Sequence, residues 1–207
     1  MANNRQAGFT LIELIVAITI SSALAVIALV GFSNLRGQTQ FSNAVEQTKE
    51  FVTSQRTETY AGVELTGGGD KNLIFFGRLL TFSAGTITVQ TLVTINGSDP
   101  LPGQAVFTSP GSSNTNDITY VIPYSVAFDF SGPGQRQLAF VRSPVDGTLR
   151  TVTSGGNASF SAAALQYSDF IPASPITTPV RYPVSDGTRS ATVNIEPITN
   201  AIGRTFN

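Results

Sequence analysis

The sequence predicts an α+β chain. One long N-terminal helix, apolar enough in its first half to span a membrane, packs through its second half on a C-terminal antiparallel β-sheet head. Three observations carry this expectation. No charged side chain occurs between Glu13 and Arg36, which leaves the 22 residues from Leu14 to Leu35 built mostly of Leu, Ile, Val and Ala. Charged residues then return, up to about residue 60, around an apolar stripe at helical spacing. Beyond residue 61 apolar and polar residues alternate with the two-residue period of strands, interrupted by Gly, Pro, Asn and Ser.

Composition sets the outer limits. Only 12% of the 207 residues are charged, half the ~25% of a typical soluble domain. With no Cys there is no disulfide, thiolate metal site or iron–sulfur cluster. With no His the commonest general base and metal ligand is missing. No cofactor is expected. Net charge is −1 with no Lys/Arg cluster, so no nucleic-acid partner is expected either.

As a helix, Leu14 to Leu35 spans roughly 33 Å at 1.5 Å per residue, enough for a hydrocarbon core of roughly 30 Å. Arg5 and the initiator amine precede it, which favours a cytoplasmic N-terminus and export of the remainder. An ordinary secretory signal has its own support in Arg5, the apolar run and the small-residue pattern Ala23-Leu24-Ala25. Such a signal has an apolar core of about 7–15 residues and no use for the carboxylate of Glu13. An ionisable group at the edge of a membrane span marks function.

The string Gly8-Phe9-Thr10-Leu11-Ile12-Glu13-Leu14-Ile15-Val16 resembles the prepilin signature of type IV pilins and pseudopilins. The resemblance implies a leader over residues 1–8, cleaved by prepilin peptidase between Gly8 and Phe9, and N-methylation of Phe9. It implies a transmembrane and filament-core helix over 9–35, an amphipathic continuation over 36–60 and a β-rich head over 61–207. The implied protein is not an enzyme. It is a structural subunit of a type IV pilus or a type II secretion-like pseudopilus. It would sit in the inner membrane before assembly, then in an extracellular or periplasmic filament. Its implied partners are other pilin subunits, the peptidase, the inner-membrane assembly platform and, before assembly, lipid. The alternative is a secreted or membrane-anchored β-domain surface-binding protein with an ordinary signal or anchor.

The physical chemistry agrees with the resemblance. Gly8 lets a scissile bond lie extended against a protease. A helix that moves from lipid to a filament core stays out of water in both, so it tolerates apolar residues all round. In such a core Glu13 is a buried carboxylate needing a partner. The α-ammonium of Phe9, in the same or a neighbouring subunit, is the obvious one, and register specification is the best-attested use of such a pair. Two departures stand out. The chain lacks the C-terminal disulfide loop of many proteobacterial major pilins. It also has no Pro before Pro100, so a kink in the apolar half would have to come from Gly31 or Gly37, which either mark a bend or are simply tolerated.

Along the rest of the chain, Phe41, Val45, Thr48 and Val52 form a half-buried stripe, and Glu46 and Lys49 are spaced to pair. Residues 61–70 form a breaker. Strands are expected at Leu73–Phe76, Leu79–Phe82, Ile87–Ile95, Tyr124–Phe130, Leu138–Val141, Leu149–Thr153 and Ala191–Ile195. Asp146-Gly147 and Asp186-Gly187 read as hairpin turns, and 108–116 as a loop. Asp99, Asp117, Asp129, Asp146, Asp169 and Asp186 are dispersed, mostly beside Gly, Ser or Pro, as turn residues are. No phosphate-binding or calcium-loop motif occurs; the resemblance to pseudopilins, some of which bind calcium in a head loop, makes Asp117 and Asp129 candidate ligands, but no metal is expected. Asn96 and Asn157 sit in Asn-x-Ser patterns.

Overall fold

The computed structural model describes residues 10–61, 73–95, 107–108, 118–130, 137–142, 148–153, 179–196 and 201–206. The chain divides into two compact units, Met1–Ser42 and Asn43–Asn207. A single helix, α1, runs from Leu11 to Ala61. Gly31 and Gly37 lie inside it without interrupting it, so neither glycine breaks the helix. Ala61 is its last residue, at the start of the expected breaker.

In the second unit the helix packs on antiparallel sheet. The strands are β1 (Leu73–Phe82), β2 (Thr86–Ile95), β3 (Phe107–Thr108), β4 (Ile118–Val121) and β5 (Ala127–Phe128). They continue with β6 (Gln137–Arg142), β7 (Leu149–Thr153), β8 (Val180–Ser185), β9 (Ser190–Ile195) and β10 (Ile202–Phe206). One sheet has the order β3-β2-β1-β6-β7, with β4 also paired to β2; the other has the order β10-β9-β8-β5. The expectation of one sheet becomes two.

The stripe on α1 is buried as its spacing predicts. Val45, Thr48, Val52, Gln55 and Thr59 are buried, and so is Phe41. Phe51 stacks on Tyr120 of β4, with ring centroids 4.4 Å apart. The Thr48 and Thr59 hydroxyls donate hydrogen bonds to the carbonyls of Ala44 and Gln55, which lets them lie in the core. Glu46 and Lys49 pair at 2.6 Å. Arg204 of β10 reaches the other oxygen of Glu46 at 2.8 Å, so the C-terminal strand is tied to the helix.

The strand β1 departs from expectation. The two apolar runs on either side of Gly77-Arg78 belong to one strand. A bulge at Phe75–Gly77 absorbs the interruption, because Phe75 faces Val93 while Gly77 faces Leu92. A side chain at Gly77 would collide with the Phe140 carbonyl of β6, so only glycine fits there. Arg78 is buried at 4% exposure. It donates to Gln55 Oε1 at 2.6 Å and pairs with Glu58 at 2.8 Å. Burial pulls its guanidinium below the usual pKa, and Glu58 pulls it back up. Residues opposite one another across an antiparallel pair share a face, so Arg78 and Leu80 carry Phe140, Leu138, Thr91 and Val89 with them toward the helix. Leu79, Leu92, Ala139, Val141 and Val152 on the other face are buried as well.

The second sheet is one-sided. Val180, Tyr182 and Val184 alternate with exposed residues, and they face Ile195, Val193 and Ala191 across the β8–β9 pair. Tyr182 stacks on Phe82 at 4.0 Å, and Phe128 meets Phe82 edge-on at 5.1 Å, joining the sheets. The β8–β9 turn matches its prediction. Gly187 has φ +90°, and Asp186 Oδ1 accepts from the Thr188 and Arg189 amides at 2.9 and 2.7 Å. Burial works to raise the Asp186 pKa, but the hydrogen bonds from Thr188 and Arg189 outweigh it and hold the carboxyl at about 2.

The expected strand at 124–130 shrinks to β5. Tyr124 and Ser125 adopt φ of 61° and 57°, and the Val126 amide closes a turn onto the Pro123 carbonyl at 3.4 Å. The residue pattern alternates; the backbone folds back. The turn expected at Asp146-Gly147 lies outside the described residues, although β6 and β7 on either side of it do pair antiparallel. Of the 108–116 loop, Thr108 ends β3 and the rest lies outside the described residues.

Two outcomes test these contacts in the detergent-solubilised full chain. Glu58→Ala strands a buried guanidinium and is expected to cost about 3 kcal/mol in urea unfolding, more than Arg78→Met, which keeps the packing and frees a carboxylate already 44% exposed; the reverse order contradicts the assignment. Asp186 has a folded pKa below its ordinary value, so its contribution is complete above about pH 4 and is lost as pH falls through about 2. The stability gap between wild type and Asp186→Asn is therefore expected to close between those pH values, and a gap that stays constant contradicts it.

Candidate functional site

The candidate site is the start of α1. Thr10 is its N-cap: its carbonyl accepts the first helical bond, from the Leu14 amide at 3.2 Å. The Thr10 amide donates to Glu13 Oε2 at 2.8 Å, and the Thr10 hydroxyl donates to the same oxygen at 2.9 Å. The Glu13 amide in turn reaches the Thr10 hydroxyl oxygen at 3.3 Å. This reciprocal pattern is a capping box. It supplies an acceptor to amides that a helix start leaves unpaired. It also fixes the Glu13 side chain along the helix, close to the positive end of the helix dipole.

Sequence reasoning singled out Glu13 and missed Thr10. The signal was present: Thr-x-x-Glu directly before an apolar run is the capping-box pattern. Gly8 and Phe9 lie outside the described residues.

From Leu11 onward the helix is apolar and uncovered. Leu11 is 77% exposed, Ile27 69% and Phe32 73%, and every residue from Thr10 to Arg36 is exposed. This is the one helix among the described residues long and apolar enough to cross a membrane, and its apolar stretch is wholly unburied. The core helix of a soluble domain has the opposite property. Its hydroxyls are turned inward: Thr19 donates to the carbonyls of Ile15 and Val16, Ser22 to that of Thr19 and Ser33 to that of Val30. Polar groups satisfied within the helix can leave water at low cost.

Elsewhere in the chain Asp129 is exposed, while Asp117, Asn96 and Asn157 lie outside the described residues. Among the described residues there is no cluster of three or more acids able to hold a metal ion.

With that geometry in place, the comparison with protein families is direct. A family model described as the prokaryotic N-terminal methylation motif, the type IV pilin signature, matches residues 3–29. The matched span covers the Gly8–Phe9 pair, the capping box and most of the exposed apolar helix. It supports a type IV pilin-like or pseudopilin precursor anchored in a membrane. Neither the curated proteins nor the solved structures give a match.

The capping box makes a specific prediction. Thr10→Val removes the hydroxyl that serves both Glu13 and its amide, and an N-cap loss of this kind costs about 1 kcal/mol. Amide exchange at Glu13 and Leu14 in detergent is expected to accelerate by roughly fivefold, with Thr10→Ser restoring protection. Unchanged exchange in Thr10→Val contradicts the capping role.

Proposed function

We propose that this chain is the structural subunit of a type IV pilus or of a type II secretion-like pseudopilus. Prepilin peptidase cuts between Gly8 and Phe9, Phe9 is N-methylated, and the subunit polymerises through residues 9–35. The observation that carries this reading is an apolar helix surface, exposed on all sides, inside the span that matches the methylation motif. Lipid covers that surface in the precursor, and the helices of other subunits cover it in the filament. The transfer is feasible because both surroundings are poor in water.

Glu13 contributes specificity. Only its Oε2 is engaged among the described residues. Oε1 is left to accept the α-ammonium of Phe9 from a neighbouring subunit, which sets axial register. The interface is heterologous and does not close, so it yields a filament rather than a ring. The head, residues 61–207, carries nine acidic and eight basic side chains and presents a nearly neutral surface outward. Its partners are other pilin subunits, the peptidase and the inner-membrane assembly platform.

Mass spectrometry of the mature N-terminus tests the processing. Methyl-Phe9 is expected; a start just after Ala25 indicates secretion by an ordinary signal, an intact Met1 indicates an uncleaved anchor, and either overturns the reading. Glu13→Val is expected to leave cleavage intact and to reduce sheared filament yield by at least roughly tenfold. A normal yield removes the register role.

A further inference from the structure

An open sheet edge is an aggregation hazard, and proteins blunt theirs with Lys, Pro, a bulge or a covering segment. The edge at β4 carries none of these among the described residues. Ile118-Thr119-Tyr120-Val121 includes no charge and no proline. The strand pairs with β2 in unbroken register. Val121 is 67% exposed, and Ile118 and Thr119 are exposed with it.

The ladder shows which backbone groups this edge offers. The Ile122 amide donates to the Gly85 carbonyl at 2.9 Å. The same alternation continues along the pair, so Tyr120 and Ile118 bond to Ile87 and Val89. Thr119 and Val121 therefore turn their N–H and C=O groups away from β2, at the spacing that one more antiparallel strand requires. Just beyond the edge, Tyr124 and Ser125 hold φ of 61° and 57°, which neither residue favours. Backbone strain of this kind collects at ligand clamps, and Tyr124 in that turn is half exposed.

The two faces of β4 define the occupant. Away from the helix, Thr119 and Val121 present small β-branched side chains. On the helix side, Tyr120 stacks on Phe51 of α1. Burial raises the Tyr120 pKa, a hydrogen bond with Thr48 lowers it, and the charge of Glu50 raises it again. The exposed Glu50 carboxylate thus lies within Coulombic reach of the ring, and a residue paired opposite Tyr120 meets a negative charge. A second copy of this chain is the poorer occupant. Opposed residues share a face, so joining β4 to β4 sets two copies of α1 over strands about 4.8 Å apart, whereas packed helices need about 8–10 Å. A lone extended segment has no helix to place.

We infer that β4 takes, by antiparallel strand addition, an extended segment of another polypeptide in which two β-branched residues flank a Lys or Arg. Backbone bonds to Thr119 and Val121 hold the segment, and its cation lies beside Glu50. The site belongs to the head and does not depend on polymerisation.

The probe is the peptide acetyl-Thr-Val-Lys-Val-Thr-amide, added in excess to the detergent-solubilised full chain. Amide exchange at Thr119 and Val121 is expected to slow at least roughly tenfold. Val121→Pro removes an outward N–H and no bond to β2. It is expected to abolish the slowing at Thr119 while the Ile122 amide, bonded to Gly85, stays protected. Glu50→Lys is expected to weaken the peptide about threefold and to favour acetyl-Thr-Val-Glu-Val-Thr-amide instead. No slowing at Thr119 and Val121 in the wild-type chain overturns the inference. So does slowing at Thr119 that survives Val121→Pro with Ile122 still protected, because the peptide is then bound elsewhere. Where Val121→Pro exposes Ile122, the charge reversal decides: an unchanged preference between the two peptides overturns the inference. Slowing that appears without peptide as the chain is concentrated assigns the edge to a second copy and likewise overturns it.

Discussion

From Leu11 to Leu35 the helix is covered by none of the described residues. Burial of a Leu, Ile, Val or Phe side chain is worth about 1.5–3 kcal/mol, and this stretch leaves thirteen such side chains at half exposure or more. Such a surface is costly to leave in water, and an apolar surrounding suits this half of the helix. The other features of the N-terminus follow from it. Hydroxyls turn onto helix carbonyls, the one carboxylate is tied to the N-cap, and the next charge waits until Arg36. The second unit solves the opposite problem, burying both faces of one sheet and one face of the other.

The second half of α1 shows how a helix commits to a head without a disulfide. An apolar stripe does most of the packing, and charged contacts fix which strand lies where. Arg78 ties the central strand β1 to Glu58 and Gln55, while Arg204 ties the last strand to Glu46. A buried charge is poor at adding stability but expensive to misplace. Such pairs therefore select one seating of the helix on the sheet. The stacked rings of Phe82 and Tyr182 add an apolar joint between the two sheets.

Much of this was legible in the sequence, and the reasons are physical. The helix, its apolar half and the Val45–Val52 stripe follow from charge spacing and a 3.6-residue period, signals that accumulate over many residues. Asp186-Gly187 was readable because Gly adopts positive φ freely and Asp caps its own turn. Tyr124-Ser125 was not, because neither residue favours positive φ and the surrounding alternation imitates a strand. Arg78 looked like a break between two strands, because its partners lie on the distant helix and a single charge does not announce them. At the candidate site Glu13 stood out as a charge beside an apolar run. Thr10 did not, although the four-residue pattern Thr-x-x-Glu identifies it.

The central claim is that the exposed half of α1 is covered by copies of itself. Electron cryomicroscopy of filaments sheared from cells expressing the wild-type chain tests it most directly. The expected map has residues 11–35 of neighbouring subunits as a bundle of helices about the filament axis, about 8–10 Å apart as packed helices are, with the β-rich heads outside. Filaments whose subunits begin beyond this segment, or carry it on their outer surface, would contradict the claim.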